Sequence, residues 1–143
     1  MAIKKILLAG LAGGIIYFFL GWFFYGTLLM NFMTENAGSA TGVAKEPMLM
    51  WALALGDLSW GFLLAVIFGH WTSIRTWLAG AKAGATIGLL MGAGIDLIMY
   101  GTSNLYNFTA LVVDVIVVIV MTAISGAVVA VILGTENKIK AEE

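Results

Sequence analysis

The chain has 143 residues, of which 62% are hydrophobic and 10% charged, with a mean hydropathy of +1.03 and a formal net charge of −1. Soluble domains run near half apolar and a quarter charged, so this composition excludes an ordinary water-soluble fold and places the chain in lipid. Its basic residues are scattered in ones and twos, which excludes nucleic-acid binding, and it has no cysteine, which excludes disulfides, thiol chemistry and zinc-thiolate sites.

The first predicted element covers 6–30. Lys4 and Lys5 precede it in the manner of a signal peptide, but its roughly 25 apolar residues match a full span and contain no A-x-A-like cleavage site. An uncleaved first helix is therefore expected, and alanine at position 2 excludes myristoylation. Three more apolar stretches follow at 47–69, 77–100 and 108–133. Each is long enough to cross a hydrocarbon core of about 30 Å, and a lone segment in lipid satisfies its backbone only as a helix. Pro47 is expected in the first turn of the second helix, where its missing N–H costs little. Asn107 is placed to cap the fourth helix and Gly134 to end it.

These elements define an all-α fold, a four-transmembrane-helix bundle forming one domain over 1–143. Lys4, Lys5, Arg75, Lys82, Lys138 and Lys140 fall on one side of it, and Lys45 alone on the other. By the positive-inside rule both termini are then cytoplasmic, with the chain integral to the cytoplasmic membrane, and the acidic tail Glu142-Glu143 is a solvated end. A pattern also recurs. Tyr25-Gly26-Thr27 followed by Asn31-Phe32 matches Tyr100-Gly101-Thr102 followed by Asn107-Phe108, and each leads to a helix with an aspartate. Two related hairpins in parallel orientation would explain it, as would chance similarity among glycine- and tyrosine-rich helices.

Asp57, Asp96 and Asp114 stand several residues inside their spans, all in the outer half under this topology. An ionised aspartate at mid-membrane costs about 2.5–3.5 kcal/mol, and no lysine or arginine lies at comparable depth to pair with it. The three must face the interior, take a proton or bind a cation. The alternative is that each ties its helix to a neighbour by a hydrogen bond. Tyr100 lies four residues from Asp96, and Asn104 extends that face. Tyr25, with Tyr17, Thr27 and Asn31, offers hydroxyl and amide partners from the first helix. Such oxygen-rich groups suit protons or hard cations, although no specific metal motif is present.

Gly80, Gly84, Gly88 and Gly92 make a ladder up the third helix, and Gly10 with Gly14 a shorter one. Both are helix-packing candidates, within the chain or between chains. Asp57 leads a small-residue line through Gly61 and Ala65, and Asp114 another through Val118, Thr122, Gly126 and Ala130. His70 reads as an interfacial anchor, and Trp51, Trp71 and Trp77 as belt residues. No catalytic constellation can be assembled from the chain, and no cofactor is implied.

Two stretches carry a resemblance. One is 9–27, ending in Gly21-Trp22-Phe23-Phe24-Tyr25-Gly26. The other is 80–134, with the spacing of Gly84, Ala85, Gly88, Gly92 and Gly94, then Val113-Asp114 and small residues onward. Together they resemble a family of small bacterial four-helix integral membrane proteins known as a domain of unknown function. The resemblance implies the four-span fold and an acid at Asp114, and brings no activity. Its members often carry a Gly-Tyr pair after that acid, where this chain has Val115-Ile116-Val117.

Two functions are expected from these residues. The first is a small proton- or cation-binding or transport protein using the intramembrane aspartates. The second is a non-catalytic accessory or assembly subunit docking through its glycine-rich helices. The partners implied are the bilayer and either further copies of the chain or another membrane protein.

Overall fold

The computed structural model describes residues 3–139. Met1, Ala2, Lys140 and the Glu142-Glu143 tail lie outside the described residues. Helix α1 (Ile3–Phe23) runs into a π-helical turn (Phe24–Leu28), and a short α2 (Met30–Glu35) follows. After a loop comes α3 (Met50–Val66), which ends in a second π turn (Ile67–Trp71). Helices α4 (Trp77–Thr102) and α5 (Phe108–Ile139) complete the chain. Four of these segments are long and apolar enough to span a membrane: Ile3–Leu28, Met50–Trp71, Trp77–Thr102 and Phe108–Thr135. Their outer surface is large and apolar, with Leu8, Phe19, Leu90, Ile98 and Ile116 all exposed, as lipid contact requires.

Glycine decides how the helices meet. In the first hairpin, α1 crosses α3 where Gly10 and Gly14 face Gly61, and a Cβ on Gly61 would lie 2.1 Å from the Gly14 nitrogen. In the second, the ladder of α4 lies along the small-residue line of α5. Gly80 meets Gly126, Gly84 meets Thr122, and Gly92 meets Val118. Backbones in lipid associate through such close approach, because burial from water no longer drives them together. Both ladders are thus used inside the chain. The hairpins join through α1 and α5, where Ile6, Leu64, Phe68, Val129 and Leu133 form the buried core. Buried Ser125 adds a hydrogen bond to the Gly13 carbonyl at 2.9 Å. Helix α4 packs chiefly on α5, at the edge of the group.

Two expected boundaries shift. Pro47 is not in the first turn of a helix. It follows a cis peptide bond with Glu46 and belongs to the loop, and α3 begins only at Met50. Gly134 does not end α5, which continues to Ile139. A Cβ there would lie 2.2 Å from the Arg75 carbonyl oxygen, so this glycine serves close passage of the loop joining α3 to α4. Asn107 does cap α5, accepting from the Ala110 N–H at 2.9 Å. Its side chain also donates to Asn36 Oδ1 at 2.9 Å, and backbone bonds from Gly38 to Leu105 and from Ala40 to Asn104 stitch the two loops together. These loops mark one end of the bundle, called here the long-loop end.

Candidate functional site

All three aspartates lie near the long-loop end. Counted along their helices, Asp57 is seven residues in from Met50, Asp96 six from Thr102 and Asp114 six from Phe108. At 1.5 Å per residue each is about 9–10.5 Å below its helix end. They do not form one cluster. Asp96 and Asp114 meet across the α4–α5 seam, whereas Asp57 stands apart on α3.

The Asp96–Asp114 pair is built by the glycine seam. Gly88 and Gly92 let α4 settle on Val118 and Thr122, and one turn further along, the two carboxyl groups come together. Tyr25 reaches the pair from the other hairpin and donates its hydroxyl to Asp114 Oδ1 at 2.6 Å. The π turn that carries Tyr25 is closed by the Leu29 N–H bonding to the Phe24 carbonyl at 2.7 Å. A wide turn of this kind is rare, and it occurs frequently at functional sites. From the loop above, Tyr106 donates to the Asp96 carbonyl at 3.2 Å. Burial, and then the Asp96 and Asp114 carboxyls, push the Tyr106 hydroxyl above its ordinary range, so it stays a proton donor.

One atom of this cluster lacks a partner. Asp96 is 8% exposed, and its Oδ2 is buried without any hydrogen bond among the described residues. A buried carboxylate oxygen with no donor is costly, and a second carboxyl beside it adds repulsion. One proton shared between the two groups, or one bound cation, removes both penalties.

Asp57 lines a different feature, a cavity of about 670 Å³ between α1, α3, α5 and the long loop. Its carboxyl makes no hydrogen bond with another described residue. Tyr17, Phe18, Trp22 and Tyr25 line the cavity from α1 and its π turn, and Met30, Met48, Met50 and Met121 contribute thioethers. Behind that wall Tyr17 stacks on Trp60, with ring centroids 5.5 Å apart and planes 8° from parallel. Tyr17 stands within electrostatic reach of both Asp57 and Asp114, so it links the cavity to the carboxyl pair.

The remaining expected site residues fall elsewhere. Tyr100 does not continue the Asp96 face. It is exposed and packs edge-on against Phe108, 5.8 Å between centroids. Asn104 is exposed, and its backbone carbonyl ties the loops instead of its side chain serving the site. Thr27 and Asn31 have no described role at the pair. Tyr106 was missed because a loop tyrosine carries no periodic signal. Its position follows only from the short turn that folds it back over Asp96.

Among the described residues no group of three or more His, Cys, Asp or Glu could hold a metal ion. The chain matches no protein-family model, no curated protein and no solved structure. The fold and site define a four-span helical membrane protein with a carboxyl pair on the α4–α5 seam, Asp96 buried and Asp114 half-buried, beside an aromatic-walled cavity.

Proposed function

We propose that this protein binds a proton or small cation at the Asp96–Asp114 pair and couples it to transport. The observation carrying this reading is the buried, unpartnered Asp96 Oδ2 set against Asp114, whose other contact is the Tyr25 hydroxyl. A shared proton completes the hydrogen bonding there. Loss of that proton leaves two charges in a low-dielectric seam, which a cation or a rearrangement must then relieve. Such a two-state element is what an ion-coupled protein requires.

The lysine and arginine distribution supports a cytoplasmic-membrane location with both termini inside, which puts the carboxyl pair and the cavity in the outer half. Since the chain has no cysteine, single cysteines at Val43 and Ser73 report this directly. Only the former should react with an impermeant maleimide added to intact cells. Four spans leave little interior, so a translocation path is proposed to run between copies of the chain. The resemblance to the small four-helix family fits the fold and adds no activity.

The test is infrared difference spectroscopy of the purified protein in lipid across a pH titration. The pair should give a protonated-carboxyl C=O band that is lost in both Asp96→Asn and Asp114→Asn. Proton flux in liposomes should fall with it. A spectrum and a flux unchanged by both substitutions would sink the proposal.

A further inference from the structure

Among the features of the molecule, the cavity at Asp57 has the composition most specific to a ligand. Its volume of about 670 Å³ falls in the range of small-molecule sites. Its wall is aromatic and thioether-rich, and its acid, Asp57, has no cationic or hydrogen-bonding partner among the described residues. An acyl chain would fill such a space without using the carboxylate. A hydrated metal ion would use the carboxylate and gain little from Trp22, Tyr17 or the methionines. A bulky organic cation uses both. Its charge sits against Asp57, its surface lies on ring faces that attract cations, and the flexible, polarisable methionines adjust to its shape.

We infer that the cavity lined by Asp57, Tyr17, Trp22, Tyr25, Met50 and Met121 is a binding site for a lipophilic monocation, such as a hydrophobic amine or quaternary ammonium. The inference deepens the proposed coupling function, because it names a substrate class distinct from the charge held at Asp96 and Asp114. The two sites are neighbours without being one. Tyr25 lines the cavity on one side and donates to Asp114 on the other, so a ligand that moves this ring also disturbs the carboxyl pair. Tyr17, in reach of both acids, provides a second connection.

Tetraphenylphosphonium is a suitable probe, because it is a permanent lipophilic cation and does not itself titrate. Calorimetric titration of the full chain in nanodiscs should show saturable binding at neutral pH. Asp57→Asn should weaken it about tenfold or more, equivalent to roughly 1.4 kcal/mol per decade. Asp57→Glu should retain it, which guards against a folding artefact in the asparagine variant. Trp22→Ala should weaken it severalfold. Tetraphenylborate, of the same shape and opposite charge, should not bind. Binding of tetraphenylphosphonium that ignores Asp57→Asn, or binding of both ions alike, overturns the inference and leaves a cavity for acyl chains. Absence of binding by the native chain overturns it as well. In each case the infrared band of the Asp96–Asp114 pair, recorded on the same samples, decides separately whether the proton-binding reading stands.

Discussion

Replacing Gly84 by alanine adds one methyl group to the middle of the α4–α5 seam, and the structure sets what that methyl meets. The new Cβ would lie 2.2 Å from the Thr122 carbonyl oxygen, 3.0 Å from its carbonyl carbon and 3.2 Å from the Ala123 Cα. Those atoms are backbone, so no side chain can swing aside. Restoring ordinary contact requires the helices to part by roughly 1 Å, at which distance the dispersion contacts of the seam are substantially weakened. Overpacking of this kind typically costs about 1–3 kcal/mol. Gly94 supplies the control on the same helix, since a Cβ there has nothing within 4 Å. Alanine's higher helix propensity, up to about 1 kcal/mol, is gained in both variants, so their difference isolates the clash. Gly84→Ala should therefore unfold about 1–3 kcal/mol more easily than Gly94→Ala when dodecyl sulfate is titrated into mixed micelles and helicity is followed by circular dichroism. Equal stability of the two variants, within about 0.5 kcal/mol, would refute the argument that the ladder fixes the hairpin.

Asp96→Asn should fold and be at least as stable as the native chain at neutral pH, because its amide offers the neighbouring Asp114 a hydrogen-bond donor; the same unfolding titration checks this, and marked destabilisation would contradict it. Tyr25→Phe removes the 2.6 Å donor to Asp114 and should cost about 1–3 kcal/mol, as expected for a bond to a charged or proton-sharing acceptor. In a double-mutant cycle with Asp114→Asn, the two losses should fail to add. Asn107→Ala removes both the α5 cap and the bond to Asn36, for an expected loss of about 1–2 kcal/mol. Hydrogen exchange should localise that loss to residues 36–40 and 104–110, and a loss spread evenly over the bundle would argue against the tie between the loops.

The spans were legible in the sequence because hydropathy over some 20 residues is a strong signal, and the lipid leaves a helix as the only way to satisfy the backbone. The glycine ladder was legible as a packing device, since steps of four keep small residues near one face. Its partner was not, as Gly80 to Gly92 would suit another chain equally well until Gly126, Thr122 and Val118 are seen against them. Pro47 and Gly134 misled for a related reason. Residue type alone does not distinguish a helix boundary from a loop proline or from a glycine kept bare for a passing carbonyl. At the site, depth put all three aspartates at a similar height, but helix rotation decided their company. Tyr25 joined them through a π turn that no α-periodic count anticipates, Tyr100 turned away, and Asp57 faced a separate cavity.

The way the seams are distributed has a consequence for how the chain can be divided. Gly10, Gly14 and Gly61 complete the contact between α1 and α3, and the ladder with Gly126 completes that between α4 and α5, so each half carries its own internal fastening. The connection between halves, residues 72–76, passes beside Gly134 at the end remote from the acids. The protein is therefore a candidate for fragment complementation. Residues 1–73 and 74–143, made as separate polypeptides, should reassemble through the α1–α5 face, with the Tyr25–Asp114 and Ser125–Gly13 bonds as their recognition marks. A gene split at that point would still encode a whole molecule.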